Sequence, residues 1–93
     1  MDRKPSKVLM EQIGAGQKVI GFKQVLRHAQ ENRLSVIYLA KDADLHIASA
    51  LQAAAKDRRV PVETALSRKT LGEACGIDVG AACVGMLIEA EKP

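Results

Sequence analysis

Residues 35–40 read SVIYLA, a β-branched and apolar run of strand length. Such a run predicts a strand, and its near-continuous apolarity sets that strand in the middle of a sheet. A second run, AACVGMLI at 81–88, is apolar throughout and predicts another strand, buried on both faces. Buried strands need apolar cover above and below. The segments around them supply it.

Upstream of the central run, residues 21–27 read GFKQVLR. If a helix opens at Gly21, then Phe22, Val25, Leu26 and Ala29 recur at i, i+3, i+4 and i+7 and form a buried stripe. Lys23, Gln24 and Arg27 then share the opposite side. The helix is expected to run to about Asn32, a residue type that tolerates the left-handed conformation at a helix end. Residues 18–20 make a brief strand ahead of it. Before that, Ser6 is placed to cap a short helix carrying Val8, Leu9 and Ile13, which Gly14 and Gly16 end. Residues 1–5 are polar and expected to fray.

Downstream, Asp42 or Asp44 is placed to cap a helix in which Ile47, Leu51, Ala54 and Ala55 repeat at helical spacing. Lys56, Arg58 and Arg59 follow at its negative dipole end. By this pattern it is the chain's clearest amphipathic helix. Residues 60–64 predict a short strand, and Pro61, which cannot donate a ladder hydrogen bond, sets that strand at a sheet edge. Ser67 caps a last short helix with Leu71, Ala74 and Cys75 on one side and Gly76 as its terminator. Helix and strand therefore alternate along the whole chain without repeat or linker. The 93 residues predict a single α/β domain, residues 1–93, with a sheet sandwiched between helix layers.

Composition narrows the function. Hydrophobic residues make up 47% of the chain, but only Phe22 and Tyr38 are aromatic, so the interior must be aliphatic. Scarce aromatics also argue against a reader of single strands built on stacking platforms. A folded RNA is the better target. Lys and Arg number 14 against 11 Asp and Glu, a net +3 that is compatible with a polyanionic partner without demanding one. Between Gln17 and Lys41 stand five basic residues, Lys18, Lys23, Arg27, Arg33 and Lys41, against the single acid Glu31. A helix N-terminus started by glycine offers free backbone N–H groups and a positive dipole end, and three long hydrogen-bonding side chains beside it suit a nucleic-acid backbone.

Other motifs point elsewhere only weakly. GAGQKVIG at 14–21 has neither the Gly-Lys-Ser/Thr ending nor the glycine spacing of nucleotide-binding loops. Asp42, Asp44 and His46 form D-x-D-x-H, which could hold a metal, although capping is the simpler reading. Neither His28 nor His46 has a nucleophile arranged around it, so no catalytic residue and no cofactor is expected. The loop GIDVG at 76–80 is open to two readings: a buried lead-in to the last strand, or an exposed apolar pad for an unstacked base. Cys75 and Cys83 have no disulfide or zinc spacing and read as small buried hydrophobes. With no signal segment and no membrane span, the protein is expected to be cytoplasmic and reduced.

Three stretches, IGFKQVLR (20–27), LAKDAD (39–44) and LGEACGIDVGAACV (71–84), in this order and at these separations, resemble the kink-turn-binding ribosomal proteins of the L seven Ae and L thirty e type, and in particular their small bacterial members. The resemblance implies a three-layer α/β/α sandwich around a four-stranded mixed sheet. It implies binding of an RNA internal loop built on sheared G·A pairs, and no catalysis. By the same resemblance the helix opening at Gly21 enters the RNA groove. Lys23 and Gln24 match positions touching guanine edges, Arg27 one contacting backbone or base, and Lys41 one near phosphate. Ile77, Asp78 and Val79 match a loop packed on an extruded nucleotide. Where archaeal and eukaryotic members carry Asn and Glu, this chain carries Lys23 and Gln24. An amide oxygen accepts from guanine without the charge assistance of a carboxylate, while the lysine adds a phosphate-seeking cation, so base discrimination is expected to relax while affinity persists. Phe22 stands where a small residue is usual; helical periodicity lets it turn toward the core, the alternative being that it crowds the RNA.

The expected partner is thus a structured RNA, a kink-turn in ribosomal or regulatory RNA, with the large ribosomal subunit as a possible host. Two competing readings are a protein-interaction module whose basic face is merely solvated, and a small metal-dependent enzyme using Asp42, Asp44 and His46.

Overall fold

Helix and strand alternate through residues 5–88, the part of the chain that the computed structural model describes. The order is α1 (Pro5–Ala15), β1 (Lys18–Ile20), α2 (Phe22–Gln30), β2 (Leu34–Leu39), α3 (Leu45–Arg58), β3 (Val62–Glu63), α4 (Arg68–Cys75) and β4 (Cys83–Leu87). The strands form one sheet in the order β1-β4-β2-β3. β4 pairs antiparallel with both neighbours, whereas β2 and β3 are parallel, so the sheet is mixed.

Successive side chains of a strand point to opposite faces, and here both faces are buried. In β2, Ile37 and Leu39 join Val25 and Ala29 of α2 and Leu51 and Ala55 of α3. Tyr38, between them, joins Ile13 of α1 and Leu71 of α4 on the other side. β4 divides in the same way, with Val84 and Met86 toward α1 and α4 and Cys83 toward α2 and α3. The sheet is therefore the middle of three layers, an α/β/α sandwich. Gly85 on the α2–α3 side leaves the space that Leu34 fills, since a Cβ there would lie 2.7 Å from the leucine Cδ1.

Several local expectations need correction. Pro5 opens α1, a position where its missing N–H costs nothing, so Ser6 lies inside the helix and does not cap it. Gly14 also lies inside α1; it is where the helix passes α4, with room for a Cβ only 3.3 Å from the Ala74 carbonyl. Ile13 is fully buried, whereas Val8 is exposed. The expected fraying of the first residues falls largely on 1–4, outside the described residues. α2 rather than α3 separates its two sides more cleanly, because α3 is alanine-rich all round and leaves Leu45 80% exposed. The helix expected to reach Asn32 ends at Gln30, and Asn32 adopts the left-handed conformation, φ 61°.

Strand direction fixes what meets what. β1, β2 and β3 run one way and β4 the other. The connections leaving the first three strands and the one entering the fourth therefore share one end of the sheet.

Candidate nucleic-acid interface

At that end, the sheet order lays the connections side by side: Gly21 after β1, residues 76–82 before β4, 40–44 after β2 and 64–67 after β3. Hydrogen bonds stitch them together. The Gly21 N–H donates to the Cys83 carbonyl at 3.1 Å, the Ala40 N–H to the Ala82 carbonyl at 2.8 Å and the Lys41 N–H to the Leu66 carbonyl at 2.9 Å. Gly21, Lys41 and the loop of Ile77, Asp78 and Val79, far apart in sequence, are thereby brought to one face.

Gly21 is the N-cap of α2, with φ 99° and ψ 154°. Only glycine occupies that backbone region without strain. Its carbonyl accepts the Val25 N–H at 2.9 Å, which starts the helix, and no side chain caps the first turn. Open space lies where a Cβ would stand. The result is an uncovered helix N-terminus, able to approach an electronegative group closely.

Val25 and Ala29 are fully buried, and Phe22 and Leu26 are half-buried against the same cluster, so the apolar stripe faces inward as its spacing predicts. Phe22 turns into the core and leaves the outer face clear. Lys23, Gln24 and Arg27 are exposed on that face. Arg27 Nε lies 3.5 Å from the Glu31 carboxylate, which also holds Arg33 Nε at 3.3 Å. These ion pairs are solvent-exposed and weak enough to be exchanged for a phosphate. His28 is half-buried, with Nδ1 2.8 Å from the Gln24 carbonyl.

The loop before β4 divides between the two readings open to it. Ile77 is half-buried and packs on the α1–α4 cluster, while Asp78 is exposed and Val79 is 68% exposed. One apolar side chain anchors the loop and another is presented to solvent. Gly76 ends α4 in the left-handed conformation, φ 76°, and the Ile77 N–H returns to the Gly72 carbonyl at 3.0 Å. Gly72 itself is buried beneath the loop, where a side chain would run into the Val79 carbonyl. Between this loop, α4 and Asp42 lies an open cleft of about 550 Å³, bordered by Arg68, Lys69, Glu73 and Val79. Its charges are of both signs, Asp42, Glu73 and Asp78 with Arg68 and Lys69.

Asp44 occupies the N-cap position of α3 but its side chain makes no capping hydrogen bond. Asp42 does not cap α3 either; its carboxylate accepts the backbone N–H of Arg68, the first residue of α4, at 2.8 Å. That bond, helped by the nearby guanidinium, holds the Asp42 carboxyl below the usual carboxylate range. Ser67 caps α4 as its sequence predicts, accepting from the Thr70 N–H at 3.2 Å. Among the described residues, no three metal-ligating side chains cluster. The roles of Asp42, Arg68 and Gly72 escape a reading of sequence because each depends on a contact between segments distant in the chain. The Ser67 cap was the one local signal that α4 begins here.

Other proteins share this sequence or this architecture. A model of the Ribosomal protein L7Ae/L30e/S12e/Gadd45 family matches residues 4–93. The RNA-binding protein YbxF of Geobacillus stearothermophilus is 47% identical over 73 residues, covering 78% of this chain and 89% of its own. RNA-binding protein GK0100 of Geobacillus kaustophilus shows the same identity and coverage. Among solved structures, the Giardia lamblia 15.5kD RNA binding protein superposes with a TM-score of 0.85 at 21% identity, covering 96% of this chain and 79% of that one, which is a likeness of fold. A Bacillus halodurans protein of unknown function does so with a TM-score of 0.78 at 24% identity, covering 90% and 85%. By the span of the family match and the identity to these relatives, the chain belongs to the Ribosomal protein L7Ae/L30e/S12e/Gadd45 family.

Proposed function

We propose that this protein binds RNA through the shared sheet end, and that its target is a kink-turn or a similar internal loop of sheared G·A pairs, in ribosomal or regulatory RNA. The observation that carries the reading is the meeting of an uncapped α2 N-terminus, flanked by exposed Lys23 and Gln24, with the Val79 loop and Lys41 on one face. Relatives named as RNA-binding proteins support RNA as the partner.

The chemistry of the face favours recognition of shape and base edges over bulk charge. Lys41, Arg68 and Lys69 stand among Asp42, Asp44, Glu73 and Asp78, so this end offers a few directed cations and no continuous basic field. Phosphate contacts from Lys23, Arg27 and Lys41 would set register, the α2 N–H groups would approach one backbone position, and Gln24 would accept from a guanine N–H. Val79 supplies an apolar surface for a base out of the stack. In this reading the protein is a binding module in the cytoplasm, with the large ribosomal subunit as one host.

Titration into a kink-turn RNA and into a control with its G·A pairs replaced tests the proposal. Tighter binding to the first supports it; equal binding to both rejects specific recognition. The same titration at rising salt separates an RNA site from an apolar protein interface, because only neutralised phosphates release counterions.

A further inference from the structure

Asp42 is spent on a contact that neither caps its own helix nor faces α2. Oδ1 accepts the Arg68 N–H at 2.8 Å, and Oδ2 lies 3.7 Å from Arg68 Nε. The N–H belongs to the first turn of α4, where backbone donors have no partner within the helix. The other side of the same residue is occupied as well. The Arg68 carbonyl accepts the Ala81 N–H at 3.0 Å, and Gly80 lies so close that a Cβ there would stand 3.3 Å from that carbonyl oxygen. One residue of α4 is thus held by Asp42 at its N–H and by the end of the 76–82 loop at its C=O. The Lys41 N–H to Leu66 carbonyl bond closes the connection beside it.

We infer that Asp42 is a positioning residue for the recognition loop: by tying the start of α4 to the β2–α3 connection, it fixes where Asp78 and Val79 stand relative to Lys41 and the start of α2. The inference rests on the RNA reading of this end. Its physical value lies in preorganisation, since a loop already set in place loses less freedom on binding. The Asp78 and Val79 side chains are exposed, so the loop is held by the Ile77 side chain, by its close approach to Gly72 and by the bonds at Gly76, Ile77 and Ala81. Asp42 secures the residue to which the last of these is made.

Asp42→Ala and Asp42→Asn, each alone and combined with Val79→Ala, test the inference. Asp42 is exposed and outside both apolar clusters, so the alanine variant is expected to fold. It should speed hydrogen exchange at the Ala81 amide and raise the Kd for a kink-turn RNA about tenfold, but by less than about twofold when Val79 is already alanine, the coupling expected of residues acting through one element. Asparagine retains an acceptor for the Arg68 N–H and should restore both readouts. Independent losses in the double variant, unchanged Ala81 exchange in Asp42→Ala, or an asparagine variant as impaired as alanine would each overturn the inference. Failure of the RNA reading shows differently: the wild-type protein would bind the kink-turn and its G·A-replaced control alike, while Ala81 exchange would still report on Asp42.

Discussion

The Gly21 N–H donates to the Cys83 carbonyl across 3.1 Å, so the helix bearing Lys23 and Gln24 begins hydrogen-bonded to the strand that follows the Val79 loop. Two segments 62 residues apart in the chain are thus joined by a backbone bond that extends the β1–β4 pairing to the end of the sheet where the proposed RNA face lies. From that bond the chain turns into α2 through the Gly21 conformation, φ 99° with ψ 154°, a region that only glycine occupies without strain.

Gly21→Ala should therefore destabilise the domain by about 1–3 kcal/mol, the cost of a non-glycine residue in that region. Open space beside Gly21 means that the loss comes from backbone strain and not from a clash. Urea denaturation checks it: an unchanged midpoint would show that the α2 start is free to adopt another conformation.

Gln24→Ala should weaken binding to a kink-turn RNA by about 1–3 kcal/mol, the worth of a base-edge contact. Because Gln24 is exposed, stability should stay within about 0.5 kcal/mol of wild type. Lys41→Ala should cost similar affinity on the kink-turn and on the G·A-replaced control, as a phosphate contact does. Calorimetric titration of both variants with both RNAs distinguishes the two patterns. Unfolding of Gln24→Ala would contradict the two-sided helix.

How far sequence alone carries this molecule depends on whether a feature is local. The α2 stripe, the glycine start, the Ser67 cap and the left-handed Gly76 all follow from residue type and spacing, and each stands where expected. The edge strand expected over 60–64 is shorter, Val62–Glu63, and Pro61 lies just outside it, its carbonyl accepting the Ile37 N–H at 2.9 Å. The continuous apolarity of the 81–88 run correctly announced cover on both faces of β4, and the 35–40 run gives β2, a strand inside the sheet as expected. Asp42 failed because a carboxylate three residues before a helix looks like its cap, and nothing local reveals that the α4 N-terminus lies within reach. Gly14 failed for a similar reason: a glycine wanted for a close helix crossing is indistinguishable in sequence from one that ends a helix. The 76–80 loop divides: Ile77 is packed inward as a buried lead-in would be, while Val79 is exposed. Candidate site residues could be named from a resemblance, but the convergence of Gly21, Lys41 and the 77–79 loop on one sheet end follows only from strand direction.

Leu51 is fully buried between α3 and the sheet. Leu51→Ala should cost about 2–5 kcal/mol through lost burial and a residual cavity. Where the variant remains folded, its affinity for RNA should match wild type, because Leu51 lies in the layer's interior and not at the sheet end. A large affinity loss in fully folded Leu51→Ala would indicate that the α2–α3 packing sets the binding face.

Stability should also fall in alkali, because burial opposes ionisation of the Cys83 thiol. Burial pushes the Cys83 thiol up to about 11, whereas a thiol in an unfolded chain titrates near about 8.5. A group whose folded pKa is raised contributes stability that is complete below the unfolded value and is lost as pH climbs through the folded one. Unfolding free energy should therefore decline between about pH 8.5 and 11, by up to about 1.4 kcal/mol per pH unit for one such group. Tyr38, raised by burial and by Glu63, and the half-buried Cys75, raised by burial against the opposing pull of Lys18, act in the same direction. Cys83→Ala should flatten the decline without abolishing it. The thiols should differ in access too: the Cys75 thiol, half-buried, should react with a thiol reagent slowly at neutral pH, and the fully buried Cys83 thiol only when the domain opens. Equal labelling rates in the folded protein would contradict the placement of Cys83 beneath α2 and α3.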